Sequence, residues 1–424
     1  MHHVIGYTPQ FDKESPHVLD RVFGGNIVTA EKEQWKRHRR ALNPAFSQKI
    51  YIRAWKEGVR IYYDMVAGEG WNNATGSTPV FIANHVVTKF TLGVISSCAF
   101  GLDFSWSEPI AASVEEKMTL QEALKIVSAE VPIWAVAPRW LFRLPFKYLR
   151  RIDDAFKTIS DFAKSQIEQQ KIQQGSSTEK IEKIDICNMI VQANLDGGKA
   201  SLSEEEVLGD TFAVLIAGHD TTAKTLSATM GLLGLYQDEQ EKAYQQICSI
   251  LSGGREPTLE DVDSFSCVQH CFLEAIRLFP AGDVFARKAA EDTLVRAHSR
   301  IPGEQDIEFV VKKGDTTAID STGINYNPRY FPDPEAFKPS RWDAPSSVSD
   351  TFIGFGHGPR ASIGRKFAMI EATCFLVHLL RDWKIEVVLG EEETMEQWRE
   401  RVMVATVEIT LGVNSVPVRL TRRH

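Results

Sequence analysis

No stretch of this chain approaches the roughly 20 consecutive apolar residues that a membrane-spanning helix needs. The opening residues, MHHVIGYTPQFDKESPHVLDRVF, have neither the charged start nor the apolar run of a secretory signal. The sequence therefore predicts no anchor and no export signal. Cysteine is also scarce: Cys98, Cys187, Cys248, Cys267, Cys271 and Cys374 are the six in 424 residues. Most lie inside apolar or helical patterns, which reads as reduced core thiols in an intracellular compartment rather than a disulfide framework. Cys267 and Cys271 are spaced i, i+4, but no second Cys/His pair completes a structural zinc site. Excess positive charge is missing as well. The net charge is −8 with both signs interspersed, which argues against a nucleic-acid partner, since that would call for a basic domain with clustered lysine and arginine. No internal repeat or low-complexity tract is present.

What the chain has is material for a large core, with 43% hydrophobic residues, enough for one large domain or two ordinary ones. Apolar residues three and four apart dominate residues 31–280 and predict helices. Short β-prone runs between polar turns over 284–320 predict a small sheet. The stretch Asn325–Trp342, NYNPRYFPDPEAFKPSRW, has too many prolines for regular structure and too many aromatics for a solvated linker, so a packed meander is expected. A meander and loop thus fill 325–364, and a helix with strands follows over 365–424. The polar segment 173–185 is the expected mobile surface loop. With no linker in view, the reading is a single domain over 1–424, mainly α with a small β region.

Three constellations carry chemistry. A helix entered through Ser203, with Glu206 as the reciprocal partner of a capping box, runs into Ala217-Gly218-His219-Asp220-Thr221-Thr222. Glycine costs a helix about 1 kcal/mol against alanine, and threonine hydroxyls bond back to carbonyls one turn earlier, so a defect that opens a ligand groove is expected there. An acid beside a hydroxyl, Asp220 and Thr221, suits a proton relay; a solvated aspartate and a methyl-packed threonine is the plainer alternative, and the residues alone favour it. Further on, Glu274 and Arg277 sit at i, i+3 on one helix face, where Arg341 from the meander joins as a third charge. Last, Phe355-Gly356-His357-Gly358-Pro359-Arg360-Ala361-Ser362-Ile363-Gly364 is a glycine-loosened turn feeding the helical pattern RKFAMIEATCFLVHLL. Such a turn aims backbone N–H groups and the positive helix end at position 362, which favours an anion.

These segments in this order, W-x-x-x-R at 35–39, A-G-x-D-T-T at 217–222, E-x-x-R at 274–277, F-x-P-x-R at 337–341 and F-x-x-G-x-R-x-S-x-G at 355–364, resemble the cytochrome P450 superfamily. The wording W-K-R-H-R-R-A-L-N-P-A-F is similar to its eukaryotic, fungal branch, and the resemblance covers essentially the whole chain. It implies the cytochrome P450 fold and a haem b cofactor. Trp35, Arg39, Arg360 and Arg287 would hold the haem propionates, Phe355 would pack against the haem near its axial ligand, and Gly364 would be a further cofactor-binding position. Asp220 and Thr221 would deliver protons, while Glu274, Arg277 and Arg341 would form a structural triad. The implied activity is insertion of one atom of dioxygen into an apolar small-molecule substrate. Electrons would come from an NADPH-dependent reductase docked where Arg37, Arg40, Arg365 and Lys366 present a basic patch. The run PIWAVAPRWLF, 132–142, would sit near the substrate entrance and either touch a membrane or pack as ordinary core. Family membership suggests the cytosolic face of the endoplasmic reticulum.

Two departures stand out. The family's axial position carries a cysteine whose thiolate binds the iron and favours O–O cleavage; here it is Ser362, a far weaker ligand because an alcohol is harder to deprotonate. Cys374 cannot stand in, lying about three turns, roughly 18 Å, further along the helix. In addition, only 34 residues precede Trp35, which implies that part of the family's N-terminal sheet and substrate roof is missing. The alternative to a monooxygenase is an inactive haem-binding or regulatory relative.

Overall fold

The computed structural model describes residues 10–13, 24–107, 118–176, 185–195, 201–297, 305, 307–343 and 351–423. The first strand, β1 (Phe11–Lys13), is followed by α1 (Lys32–Leu42), α2 (Gln48–Gly68), β2 (Phe81–Ile82) and α3 (Ala83–Phe100). Helices α4 (Leu120–Val136), α5 (Lys147–Ser176), α6 (Ile186–Leu195), α7 (Glu204–Leu235), α8 (Gln237–Ile250) and α9 (Ser266–Leu278) come next. The expected sheet region then supplies β3 (Val284–Ala289), β4 (Thr293–Ala297), β5 (Ile307–Val311) and β6 (Thr316–Asp320), before the short α10 (Ser321–Asn325). After the meander come α11 (Arg365–Asp382), β7 (Trp383–Val387), α12 (Met395–Val402), β8 (Ala405–Val407), β9 (Leu411–Val413) and β10 (Pro417–Arg422).

All strand pairing is antiparallel. Strand β3 sits between β1 and β6, with Phe11 opposite Ala289 and Val284 opposite Asp320. Strand β10 joins β2 to β7, and β4–β5 and β8–β9 form separate two-stranded ribbons. The predicted small β region is therefore present, and the N-terminal end contributes one strand to it.

The main core runs from Ala41 to Leu420 and is built around α7. That helix is apolar or small on nearly every side, so it is buried along most of its length, against α3, α5, α9 and β7. Helix α3 is sheathed in the same way. Helix α11 packs on α2, α8 and α9, which fixes the loop before it relative to α7.

One sequence expectation is corrected here. Residues 173–176 of the supposed loop are the last turn of α5, and Asp185, at its other end, is fully buried and accepts a hydrogen bond from Asn188 N at 2.6 Å at the start of α6. Glutamine is a good helix former, so the helix continues through Gln173 and Gln174, and residues 177–184 lie outside the described residues. The meander expectation agrees with the structure: Phe331 and Phe337 are buried within an irregular stretch closed by a single 3-10 turn, Pro339–Trp342.

Candidate active site

The loop before α11 is shaped by two glycines in the left-handed region, Gly356 (φ +75°) and Gly358 (φ +67°), a conformation that L side chains rarely tolerate. It closes on itself where Ser362 N donates to the Phe355 carbonyl at 2.8 Å and Ala361 N to Gly358 O at 2.9 Å. Gly364 is the N-cap residue of α11 and offers no side-chain cap, so the helix's first N–H groups and its positive end stay directed towards the loop. The Ser362 side chain is exposed. Arg365 lies over the Phe355 ring, 5.4 Å from its centre.

Helix α1 brings a cationic edge to this loop. Arg39 Nη1 donates to Ala361 O at 3.0 Å, and the Arg360 guanidinium lies 4.5 Å from the centre of the buried Trp35 ring. Trp35, Arg39 and Arg360 thus assemble beside Ser362. Arg287 sits on β3, buried, with Nη1 bonded to Ala286 O at 2.8 Å, and no hydrogen bond joins it to the other three. Burial pushes the pKa of both Arg39 and Arg287 below the ordinary guanidinium value. Among the described residues no carboxylate pairs with either arginine. A guanidinium drawn out of water without a counter-charge is costly, and an anionic ligand would supply one.

On α7 the capping box forms as expected: Glu206 N donates to Ser203 Oγ at 3.2 Å and Ser203 N to Glu206 Oε2 at 2.8 Å. The expected helix defect does not form. Helix α7 runs unbroken from Glu204 to Leu235, and Gly218 is explained by packing, since a Cβ there would lie 2.7 Å from Ile95 of α3. What opens on this face is a strip of small side chains, Ala217 and Thr221, which keep solvent access while His219, Asp220 and Thr222 are buried. Thr221 Oγ1 donates back to Ala217 O at 2.9 Å. The Asp220 carboxylate turns elsewhere, accepting from Thr410 Oγ1 at 2.5 Å with Lys224 Nζ 3.4 Å away. The acid and the alcohol of the suspected relay are therefore neighbours in sequence without a direct hydrogen bond.

Glu274, Arg277 and Arg341 do meet. Glu274 accepts from Arg277 Nε (3.0 Å) and Nη2 (2.8 Å) and from Arg341 Nε (2.8 Å). Two partners that the spacing did not reveal complete the ring, Trp342 Nε1 at 3.0 Å and Lys338 N at 3.1 Å. Arg277 also caps the meander carbonyls of Asn325 and Pro334 at 2.9 and 2.7 Å. Other contacts were equally hidden from sequence, such as the buried His38 Nδ1 to Asp210 Oδ2 pair at 2.7 Å, which pins α1 to α7 across 172 positions.

The basic patch is revised. Arg37 is bound to Glu206, so it is committed to the start of α7, whereas Arg40, Arg365 and Lys366 are exposed. A groove of about 1090 Å³ opens beside Ser362 and is lined by Tyr51, Lys56, Arg365 and Lys366 together with the acidic Glu260 and Asp263. Segment 132–142 divides between its two readings: Trp134 stacks on Phe156 at 4.4 Å and Phe142 is buried, while Val136 and Trp140 are 75% and 61% exposed. Among the described residues no helix is long and apolar enough to cross a membrane. All six cysteines are free, and Cys374 is sealed in α11 against α2.

A family model described as Cytochrome P450 matches residues 2–413. Among curated relatives, Cytochrome P450 monooxygenase 124 of Postia placenta is 34% identical over 409 residues, covering 95% of this chain and 77% of the relative. Cytochrome P450 monooxygenase AOL_s00215g278 of Arthrobotrys oligospora is 26% identical, covering 95% and 76%. Among solved structures, a cytochrome P450DA heme domain superposes with a TM-score of 0.76 at 20% identity, over 98% of this chain and 84% of that one.

Proposed function

The chain belongs to the cytochrome P450 family of haem-dependent monooxygenases, and from there we propose that it binds haem b at loop 355–364 and oxygenates an apolar small molecule, with Ser362 limiting the rate. The observation that carries this reading is the cationic edge: Arg39 and Arg287 are drawn from water with only main-chain partners among the described residues, and Arg360 lies over Trp35 beside the loop. Two propionates are the counter-charges such an edge suits. Phe355 and Gly364 would frame the loop against the macrocycle, and Ser362 stands where the family's pattern has its axial cysteine. When bound, haem supplies the dioxygen-activating redox chemistry that no side chain here possesses.

The protein's own contribution is orientation and proton handling. Ala217 and Thr221 leave space on α7 for an apolar substrate, and Thr221 with Asp220 would hand protons to the oxygen-binding side. Ser362 would offer a bound haem a neutral hydroxyl, a weaker donor than the thiolate of the family's pattern, from a loop held by its own backbone bonds. Glu274, Arg277 and Arg341 act structurally, tying the meander to α9. Electrons from an NADPH-dependent reductase would enter at the groove beside Ser362, where Lys56, Arg365 and Lys366 give a basic wall. Val136, Trp140 and Phe146, exposed beside Arg139 and Arg143, suit peripheral contact with an anionic bilayer such as the cytosolic face of the endoplasmic reticulum.

The test is the absorption spectrum of haem-reconstituted protein, reduced and exposed to carbon monoxide, for the natural chain and for Ser362→Cys. The expected result is haem retention by both and a thiolate-type red-shifted band in the Ser362→Cys form alone. Loss of haem from both overturns the reading. Ser362 itself favours a second one, a haem-binding relative without oxygenase activity. That reading holds if the Ser362→Cys form shows the thiolate band and turns over substrate while the natural chain binds haem and does neither.

A further inference from the structure

The carboxylate of Asp220 is engaged from another part of the chain. The ribbon β8–β9 turns at Glu408-Ile409-Thr410 over α7, where Thr410 Oγ1 donates to Asp220 Oδ2 at 2.5 Å. Lys224, one turn beyond Asp220, stands 3.4 Å from Asp220 Oδ2, 3.0 Å from Glu408 Oε2 and 2.9 Å from the Thr410 carbonyl. Its stem is covered by the ribbon, for a Cβ on Gly412 would come within 2.8 Å of Lys224 Cδ. The ribbon is tied in turn to the segment after α9 by Leu411 N to Ala281 O at 3.2 Å. One ammonium thus serves two carboxylates on different elements, and Asp220 bonds to the ribbon instead of to Thr221, whose hydroxyl is used by Ala217 O.

We propose that Lys224 and Thr410 are positioning residues that latch the β8–β9 ribbon onto Asp220, holding its carboxylate away from Thr221 until the ribbon shifts. The inference rests on the relay role given to Asp220 above. A ligand large enough to press on residues 408–410 would loosen the latch and free the carboxylate, coupling occupancy of the site to proton handling. The ribbon is short and two-stranded, with β9 anchored in the core by the buried Leu411 and Val413, so the part free to shift is its turn, which charge and hydrogen bonds tie to α7.

Hydrogen exchange on the whole chain tests the latch without haem. Lys224→Met and Thr410→Val are each expected to raise amide exchange across 405–413 about fivefold, the effect of losing one hydrogen bond or ion pair, with 365–382 unchanged. Lys224→Arg and Thr410→Ser are expected to restore protection, which loss of mere stem packing would not allow. Asp220→Asn added to Lys224→Met is expected to add little to Lys224→Met alone, since the lysine that joins Asp220 to the ribbon is already gone. Unchanged exchange in Lys224→Met, or exchange raised equally in Lys224→Arg, overturns the latch. In haem-loaded Ser362→Cys protein, Lys224→Met is expected to shift the share of electrons lost as hydrogen peroxide severalfold with KM unchanged; an exchange effect with no such shift leaves a structural clasp and overturns the positioning role. If the chain takes up no haem, the proposed function fails on its own spectrum while the exchange result still decides the latch.

Discussion

Two glutamates on neighbouring helices, Glu274 of α9 and Glu371 of α11, are both fully buried, and their surroundings could hardly differ more. Glu274 accepts from two guanidiniums, an indole and a backbone amide. Neither carboxyl oxygen of Glu371 has a hydrogen-bond partner among the described residues. Burial drives the Glu371 pKa well above the ordinary carboxylate value, and the Thr222 hydroxyl of α7 offsets this only in part. Burial alone therefore says little about what a carboxylate does. At Glu274 the surrounding donors stabilise the anion and make it the knot between α9 and the meander. At Glu371 burial favours the neutral form of a carboxyl that faces Thr222 of α7, two positions from Asp220.

The largest effect is expected from removing the knot. Glu274→Ala leaves the fully buried Arg277 and the nearly buried Arg341 facing each other without a counter-charge, and breaking a buried pair in this way costs about 3–5 kcal/mol. Chemical denaturation of purified protein measures it. A loss below about 1 kcal/mol would mean that the main-chain carbonyls of Asn325, Pro334 and Ala336 hold Arg277 unaided, and that the contrast with Glu371 is one of appearance only.

Glu371→Gln attacks the other side of the comparison and has a defined sign. The folded-state pKa is raised above the ordinary 4.5, so the stability linked to the protonated form is fully present below that value and lost as pH rises towards the folded-state pKa. Glutamine keeps the shape and cannot ionise. The stability of Glu371→Gln relative to the natural chain is therefore expected to grow with pH, by up to about 1.4 kcal/mol per unit within that window. Thermal unfolding of both proteins from pH 5 to 8 follows it. A constant gap would show that Glu371 is not held neutral by the fold.

Much of this was legible in the sequence, and the boundary has a physical cause. The apolar period gave the helices, and the β-prone runs gave the strands of 284–320. The i, i+3 spacing of Glu274 and Arg277 placed two members of the knot on one face, since local geometry translates directly into contact. Trp342 was hidden because its indole reaches Glu274 across 68 positions. Gly218 was read as a helix defect because its neighbour, Ile95, lies on a different helix. Arg37 was read as a free surface charge for the same reason, its partner Glu206 being 169 positions away. Lys224 stood at i, i+4 from Asp220 in plain view, but Thr410 and Glu408, which give that pairing its meaning, come from a ribbon near the end of the chain.

Asp220 lies between the two glutamates in character, and Asp220→Asn should have the smallest effect on stability. The carboxylate is buried but not sealed, its Lys224 partner keeps solvent access, and that lysine retains Glu408 and the Thr410 carbonyl after the substitution. Asparagine can still accept from Thr410. The expected loss is about 1 kcal/mol or less, the range of a single partly exposed pair or neutral hydrogen bond, read from the same denaturation curves as Glu274→Ala. A loss approaching that of Glu274→Ala would make Asp220 a second structural knot and remove it from the relay. A small loss, together with a large change in electron coupling in haem-loaded Ser362→Cys protein, separates the two kinds of buried acid by what each contributes: Glu274 to stability, Asp220 to chemistry.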